Sequence, residues 1–183
     1  MFYFMLDTLI SSKTRIKLLL KFFLNTEAKG YLRGLEAEFG ESSNAIRVEL
    51  NRLEVAGILI SENEGNKRLF SVNKKHPLFI PIYNLVRSYV GIDTVIEKVV
   101  ERLGNVKEVY LTGHFAKGLD SEVLELVLVG SDIDAEYLEF LSEKASKMIN
   151  RIIKTDIFSD LESLQQVYGD SKILIYKNEE QNG

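Results

Sequence analysis

The sequence predicts an α+β chain of two domains, the first over residues 1–90 and a small α/β domain over 91–176, with a polar, disordered tail over 177–183. Three observations predict it. Apolar residues recur at helical spacing as far as Ala56 and then give way to two short β-rich runs around a Gly/Asn turn. Beyond Gly91 helical and strand patterns alternate, as they do in α/β units. Charge divides at the same place: residues 1–90 hold 13 Lys+Arg against 9 Asp+Glu, leaving +4, and residues 91–183 hold 10 against 18, leaving −8.

Composition narrows the classes of function. A length of 183 residues with 45% hydrophobic content supports packed cores rather than disorder. No apolar run approaches the roughly 20 residues of a membrane helix, and Ile16–Leu24 is interrupted by Lys17 and Lys21. The opening MFYFMLDTLISS lacks the basic, apolar and small-residue pattern of a signal peptide, so the expected compartment is the cytoplasm, with no membrane partner. With no cysteine, thiolate catalysis, disulfides and Cys-ligated zinc are excluded. His76 and His114 are the only histidines, too few for a His-based metal site, and no metal or cofactor is expected.

In the first half, Ile16, Leu19, Leu20, Phe23 and Leu24 mark a helix from Ser12 to Asn25 with one buried face, Ser12 capping its start. Gly30 interrupts. A second helix, Tyr31–Phe39, turns Leu32, Leu35 and Phe39 inward and stops at Gly40, which tolerates the positive φ of a tight turn. Ser42 and Ser43 then open a third helix that closes on Gly57. Three helices with a short glycine turn between the last two is the helix-turn-helix layout. Next, 58–62 and 67–72 are strands joined by Asn63-Glu64-Gly65-Asn66, a hairpin suited to be a wing. After it comes a loop with His76 and Pro77, then a helix bearing Ile82, Leu85, Val86, Tyr89 and Val90, with Pro77 and Pro81 placed where a missing N–H costs least.

At about 100° per residue, Ile46, Leu50 and Leu53 of the third helix share the core stripe. Asn44, Arg47, Val48 and Asn51 take the opposite arc, where Arg suits guanine and Asn suits adenine. Ser43 stands at the head of that helix, Arg52 at its flank toward phosphate, and Asn66, Lys67 and Arg68 at the hairpin tip can meet the sugar–phosphate backbone. A solvated polar face is the plain alternative for the helix by itself. The stretch SNAIRVELNRLEVAGIL, Ser43–Leu59, resembles the recognition helix and following strand of ArsR-like winged-helix repressors. That resemblance implies a winged helix-turn-helix fold and double-stranded DNA as partner.

The second half reads as helix Gly91–Leu103, strand Val106–Thr112, a Gly113–Gly118 turn, strand Val123–Val129, helix Ala135–Asn150, strand Arg151–Phe158, helix Leu161–Tyr168 and strand Lys172–Tyr176. This order, with Gly113-x-x-Ala116-x-Gly118 and a strand ending in Val129-Gly130, is similar to the minimal nucleotidyltransferase domain. The resemblance implies a phosphate-cradling Gly-Ser turn and two aspartates, at i and i+2 on the next strand, that bind Mg²⁺. Here the Ser position is His114, and Val123 and Glu125 stand where the aspartates belong. The nucleotide site is therefore degenerate at Gly113, His114, Gly118, Val123 and Glu125, and no catalytic residue is assigned. The later acidic position falls near Lys154 or Asp156. Ser131-Asp132-Ile133-Asp134 matches the active string but follows the strand, where Asp caps a helix instead. Asp120-Ser121-Glu122 reads as a surface turn.

The expected function is a homodimeric, sequence-specific DNA-binding transcriptional regulator. Its silent nucleotidyltransferase-like domain would serve dimerisation, partner binding or sensing of an unknown small-molecule or protein effector. Two alternatives stand beside it: an active nucleotidyltransferase using Glu125 with Asp132 or Asp134, and a protein-interaction adaptor.

Overall fold

The computed structural model describes residues 8–178 of the chain, which is mixed α and β. It divides into two compact units, with the division between Val86 and Arg87 inside a helix, four residues before the boundary the charge pattern suggests. At Lys177 and Asn178 the structure differs from the tail expected there. Lys177 still belongs to a strand and the Asn178 N–H bonds the Lys107 carbonyl at 2.8 Å; residues 179–183 lie outside the described residues, as do 1–7.

The first unit opens with α1 (Lys13–Leu24), whose first turn is capped by the Ser12 hydroxyl accepting from the Arg15 N–H. Its burial exceeds the single stripe the spacing suggests. Leu18 and Phe22, off that stripe, are as fully buried as Phe23, so only the lysine and arginine side chains carry α1 to water. Next comes α2 (Leu32–Phe39), ended by Gly40 at φ +63, a left-handed conformation that glycine adopts without a Cβ penalty. Then α3 (Ser43–Val55) starts from Ser42, whose hydroxyl accepts from the Ala45 N–H. Ile46, Leu50 and Leu53 are buried as the spacing requires.

Strands β1 (Leu59–Glu64) and β2 (Lys67–Val72) form an antiparallel hairpin in which Glu64 faces Lys67 across the two-residue turn Gly65-Asn66. Gly65 at φ +61 supplies the positive φ that such turns demand at their first position. A lone bridge adds to this ribbon: Gly30 exchanges both backbone hydrogen bonds with Phe70, at 3.0 and 2.8 Å. Gly30 suits this close approach, because a Cβ there would press on Leu35 and Phe22 at 3.1–3.2 Å. The following helix, α4 (Phe79–Val90), contains the division between the units.

In the second unit, α5 runs as Ile92–Val95, a π turn Ile96–Val100 and Glu101–Leu103. There follow β3 (Val106–Leu111), the single turn α6 (Gly113–Ala116), β4 (Val123–Gly130), α7 (Ala135–Ile149), β5 (Ile152–Phe158), α8 (Leu161–Tyr168) and β6 (Ile173–Lys177). The sheet order is β5-β4-β3-β6, with β4 and β5 parallel across the α7 crossover and the other pairs antiparallel. Leu124, Leu126 and Leu128 are buried on one face of β4, while α7 packs on β5 and α5. Val127 and Val129 point to the other face, where Leu164 of α8 joins them with Tyr110, Phe158 and Tyr168 at the edges. Among the described residues no helix is long and apolar enough to cross a membrane.

Candidate nucleic-acid interface

A cleft of about 540 Å³ opens in the first unit, walled by α2, α3 and the hairpin. Its lining combines Arg47 and Asn51 of α3 with Asn66, Lys67 and Arg68 of the hairpin, so five residues singled out by sequence meet in one place. The cleft also holds Tyr31 and Arg33, which the sequence reading passed over. Their arrival is a tertiary event: the Gly30–Phe70 bridge lays the start of α2 against the hairpin and brings the Lys67 ammonium 4.6 Å from the Tyr31 ring centroid. That contact holds the lysine in place without neutralising it. Arg33, Arg47 and Asn51 are exposed, and among the described residues no carboxylate pairs with Arg33, Arg47 or Lys67.

The remaining basic residues of this face are engaged within the protein. The Arg68 Nη2 donates to both carboxylate oxygens of Glu54 of α3, at 2.6 and 2.7 Å, and its Nε donates to the Ser61 hydroxyl. It thereby ties the hairpin to the C-terminal turn of α3. Arg52 donates to Glu49 at 3.0 Å, and Glu49, 5% exposed, also receives the Arg15 Nε of α1 at 2.8 Å. Burial pushes the Glu49 carboxyl up, but hydrogen bonds from Arg15 and Ser12 and the charges of Arg15 and Arg52 outweigh it and hold the group below its ordinary value. The Ser43 hydroxyl donates to Glu36 of α2 at 2.5 Å, while Asn44 is exposed at the head of α3, outside the cleft lining.

In the second unit, Gly113 at φ +63 and Gly118 at φ +75 shape the turn around His114 and α6. The Glu125 carboxylate lies directly over Gly113, where any Cβ would overlap it. Val123 and Glu125 share a sheet face, with Lys154 opposite Glu125 and Asp156 opposite Val127 on β5. Asp156 accepts the Tyr168 hydroxyl at 2.8 Å; burial first, then this bond and the carboxylate charges, push the Tyr168 phenol up to about 12. Asp134 caps α7 by accepting the Tyr137 N–H at 3.0 Å, and Asp132 sits in the preceding turn at φ +53. Glu125 precedes the end of β4 at Gly130 by five residues, so it stands roughly 16 Å along the strand from that end. A joint site of Glu125 with Asp132 or Asp134 is therefore not formed by this geometry. Among the described residues no three His, Asp or Glu side chains gather as a metal-binding group.

Asp120 is more than the surface turn its sequence suggests. It accepts from Tyr89 at 2.5 Å and from Arg151 at 3.0 Å, the latter side chain being fully buried, with its guanidinium 4.9 Å from the Phe115 ring centroid. No protein-family model, curated protein or solved structure matches this chain.

Proposed function

We propose that the chain is a sequence-specific DNA-binding transcriptional regulator acting as a homodimer on double-stranded DNA. In this reading the first unit is a winged helix-turn-helix, α3 its recognition helix and β1–β2 its wing, and the second unit is a catalytically silent nucleotidyltransferase-like domain open to an effector. The observation that carries it is the convergence of Arg33, Arg47 and Lys67 from three elements on one cleft with no carboxylate to neutralise them. A helix face with exposed Arg47 and Asn51 offers base-edge donors, and cations on the flanking hairpin and α2 offer phosphate contacts. Lys17, Lys21 and Lys29 of the same unit each have a carboxylate partner. That contrast favours a polyanion as the missing partner.

Selection of bound fragments from a random duplex pool, at stated salt, tests this. The expected result is enrichment of one motif by the full chain, retained by Lys67→Ala and relaxed at specific positions by Arg47→Ala. Failure to retain any duplex at low salt would overturn the reading and favour an adaptor that binds protein.

A further inference from the structure

We infer that β5 is a dimerisation strand, pairing antiparallel with β5 of a second copy about a two-fold axis at Thr155 and joining two four-stranded sheets into one of eight strands. This inference stands apart from the DNA reading. β5 is the outermost strand of the sheet, and among the described residues no strand pairs with its outer edge. The Ile152 N–H bonds the Glu122 carbonyl at 2.8 Å, toward β4, so in a parallel pair the backbone groups of Lys154, Asp156 and Phe158 turn inward too. Those of Ile153, Thr155 and Ile157 turn outward. The Ile153 N–H confirms the alternation by bonding the Ser146 hydroxyl of α7 rather than β4. Thr155 is thus an outward-bonding residue, which is what a two-fold centre needs for its N–H and C=O to exchange hydrogen bonds with their own copies.

The side chains of Ile152-Ile153-Lys154-Thr155-Asp156-Ile157-Phe158 are self-complementary in that register and in no neighbouring one. Lys154 falls opposite Asp156 of the second copy, twice by symmetry, in the closely spaced pairs of the ladder; Ile153 falls opposite Ile157 and Ile152 opposite Phe158. Moving the two-fold axis by one residue either way, a two-residue slip in the pairing, places Lys154 on Lys154 or Asp156 on Asp156. Lys154 and Asp156 are exposed, as are Ile152 at 57% and Ile157 at 40%, so this edge presents both apolar and charged partners, and the Asp156 carboxylate has a second oxygen beside the one that accepts the Tyr168 hydroxyl. A groove of about 1270 Å³ runs along it between β5 and the Leu138, Ser142 and Ser146 side of α7, with room for an added strand. The opposite edge lacks this pattern. Centred on Ile175, β6 would set Ile173 against Lys177, and Lys177 is already paired with Glu108 at 3.1 Å.

Sedimentation of the full chain with charge swaps tests the register. The wild type is expected at twice the chain mass at micromolar concentration. Lys154→Asp and Asp156→Lys, each creating like-charge pairs at the centre, are expected to raise the dimer dissociation constant about tenfold or more, and the double swap to restore it to within about threefold. Circular dichroism confirms that each variant is folded. Because the chain has no cysteine, Thr155→Cys supplies an independent readout, an oxidative crosslink to a covalent dimer. A monomeric wild type, single swaps without effect, a double swap no better than the singles, or a dimer that Thr155→Cys does not crosslink would each overturn the assignment.

Discussion

Two regions of the first unit use the same kinds of cation to opposite ends. Behind α3, Arg15 and Arg52 converge on the nearly buried Glu49, and Lys17 meets Glu41, so charge is consumed in fastening helices to one another. In the cleft, Arg33, Arg47 and Lys67 stand without carboxylates among the described residues. Arg68 lies at the border: it lines the cleft but is spent on Glu54. The difference teaches that basic residues of similar exposure and sequence context divide into fasteners and binders according to whether a carboxylate has been placed beside them, and that net charge alone does not tell the two apart.

Breaking the fastened side is expected to have the largest effect on folding. Arg15→Ala leaves the nearly buried Glu49 carboxylate to the more exposed Arg52 and should cost about 1–3 kcal/mol in urea unfolding, whereas Glu49→Met, which removes the charge as well, should cost less. Arg47→Ala should leave unfolding within about 0.5 kcal/mol of the parent yet cost about 1–3 kcal/mol of discrimination between DNA sequences in competition binding. Glu54→Ala releases Arg68 and unties the hairpin; a double-mutant cycle with Arg68→Ala should return a coupling on the order of 0.5–1 kcal/mol.

Acid should separate the regions again. Glu49 and Glu41 both sit below their ordinary 4.5, so the stability they contribute is present above that value and is lost as pH falls through their lowered folded-state values. Glu49→Gln should therefore flatten the acid limb of the stability profile, and Arg47→Ala should leave it unchanged. The smallest expected effect lies in the second unit. Tyr110 and Tyr168, both pushed up to about 12, should ionise well above the ordinary 10 in an ultraviolet titration, and the stability held by their neutral forms is present below 10 and lost as pH rises toward 12.

Much of the fold was legible because local signals agreed with tertiary demands. Ser12 and Ser42 cap where hydroxyl before an apolar period implies, Gly40 and Gly65 sit where positive φ is required, and β4 ends at Gly130 as its apolar run suggests. What escaped depends on contacts between distant residues. Leu18 and Phe22 lie off the stripe of α1, and their burial follows from neighbours on more than one side. Arg33 and Tyr31 join the cleft only because Gly30 pairs with Phe70, a bridge that no local pattern announces. The bond from Arg15 to Glu49 is equally remote, although Glu49 falls on the same arc as Ile46 and Leu53, which was a readable sign that a carboxylate there needs a cation. Asp120 looked like turn chemistry because its partner Arg151 follows 31 residues later.

The most direct measurement of the central claim is the salt dependence of duplex binding by the full chain. Three bare cations predict that the logarithm of affinity falls against the logarithm of salt with a slope near −3 per chain, on the order of −0.9 for each phosphate neutralised, and that Lys67→Ala removes about one unit of it. A slope near zero, or one unchanged when Arg33, Arg47 and Lys67 are replaced together, would contradict the assignment of the cleft to DNA.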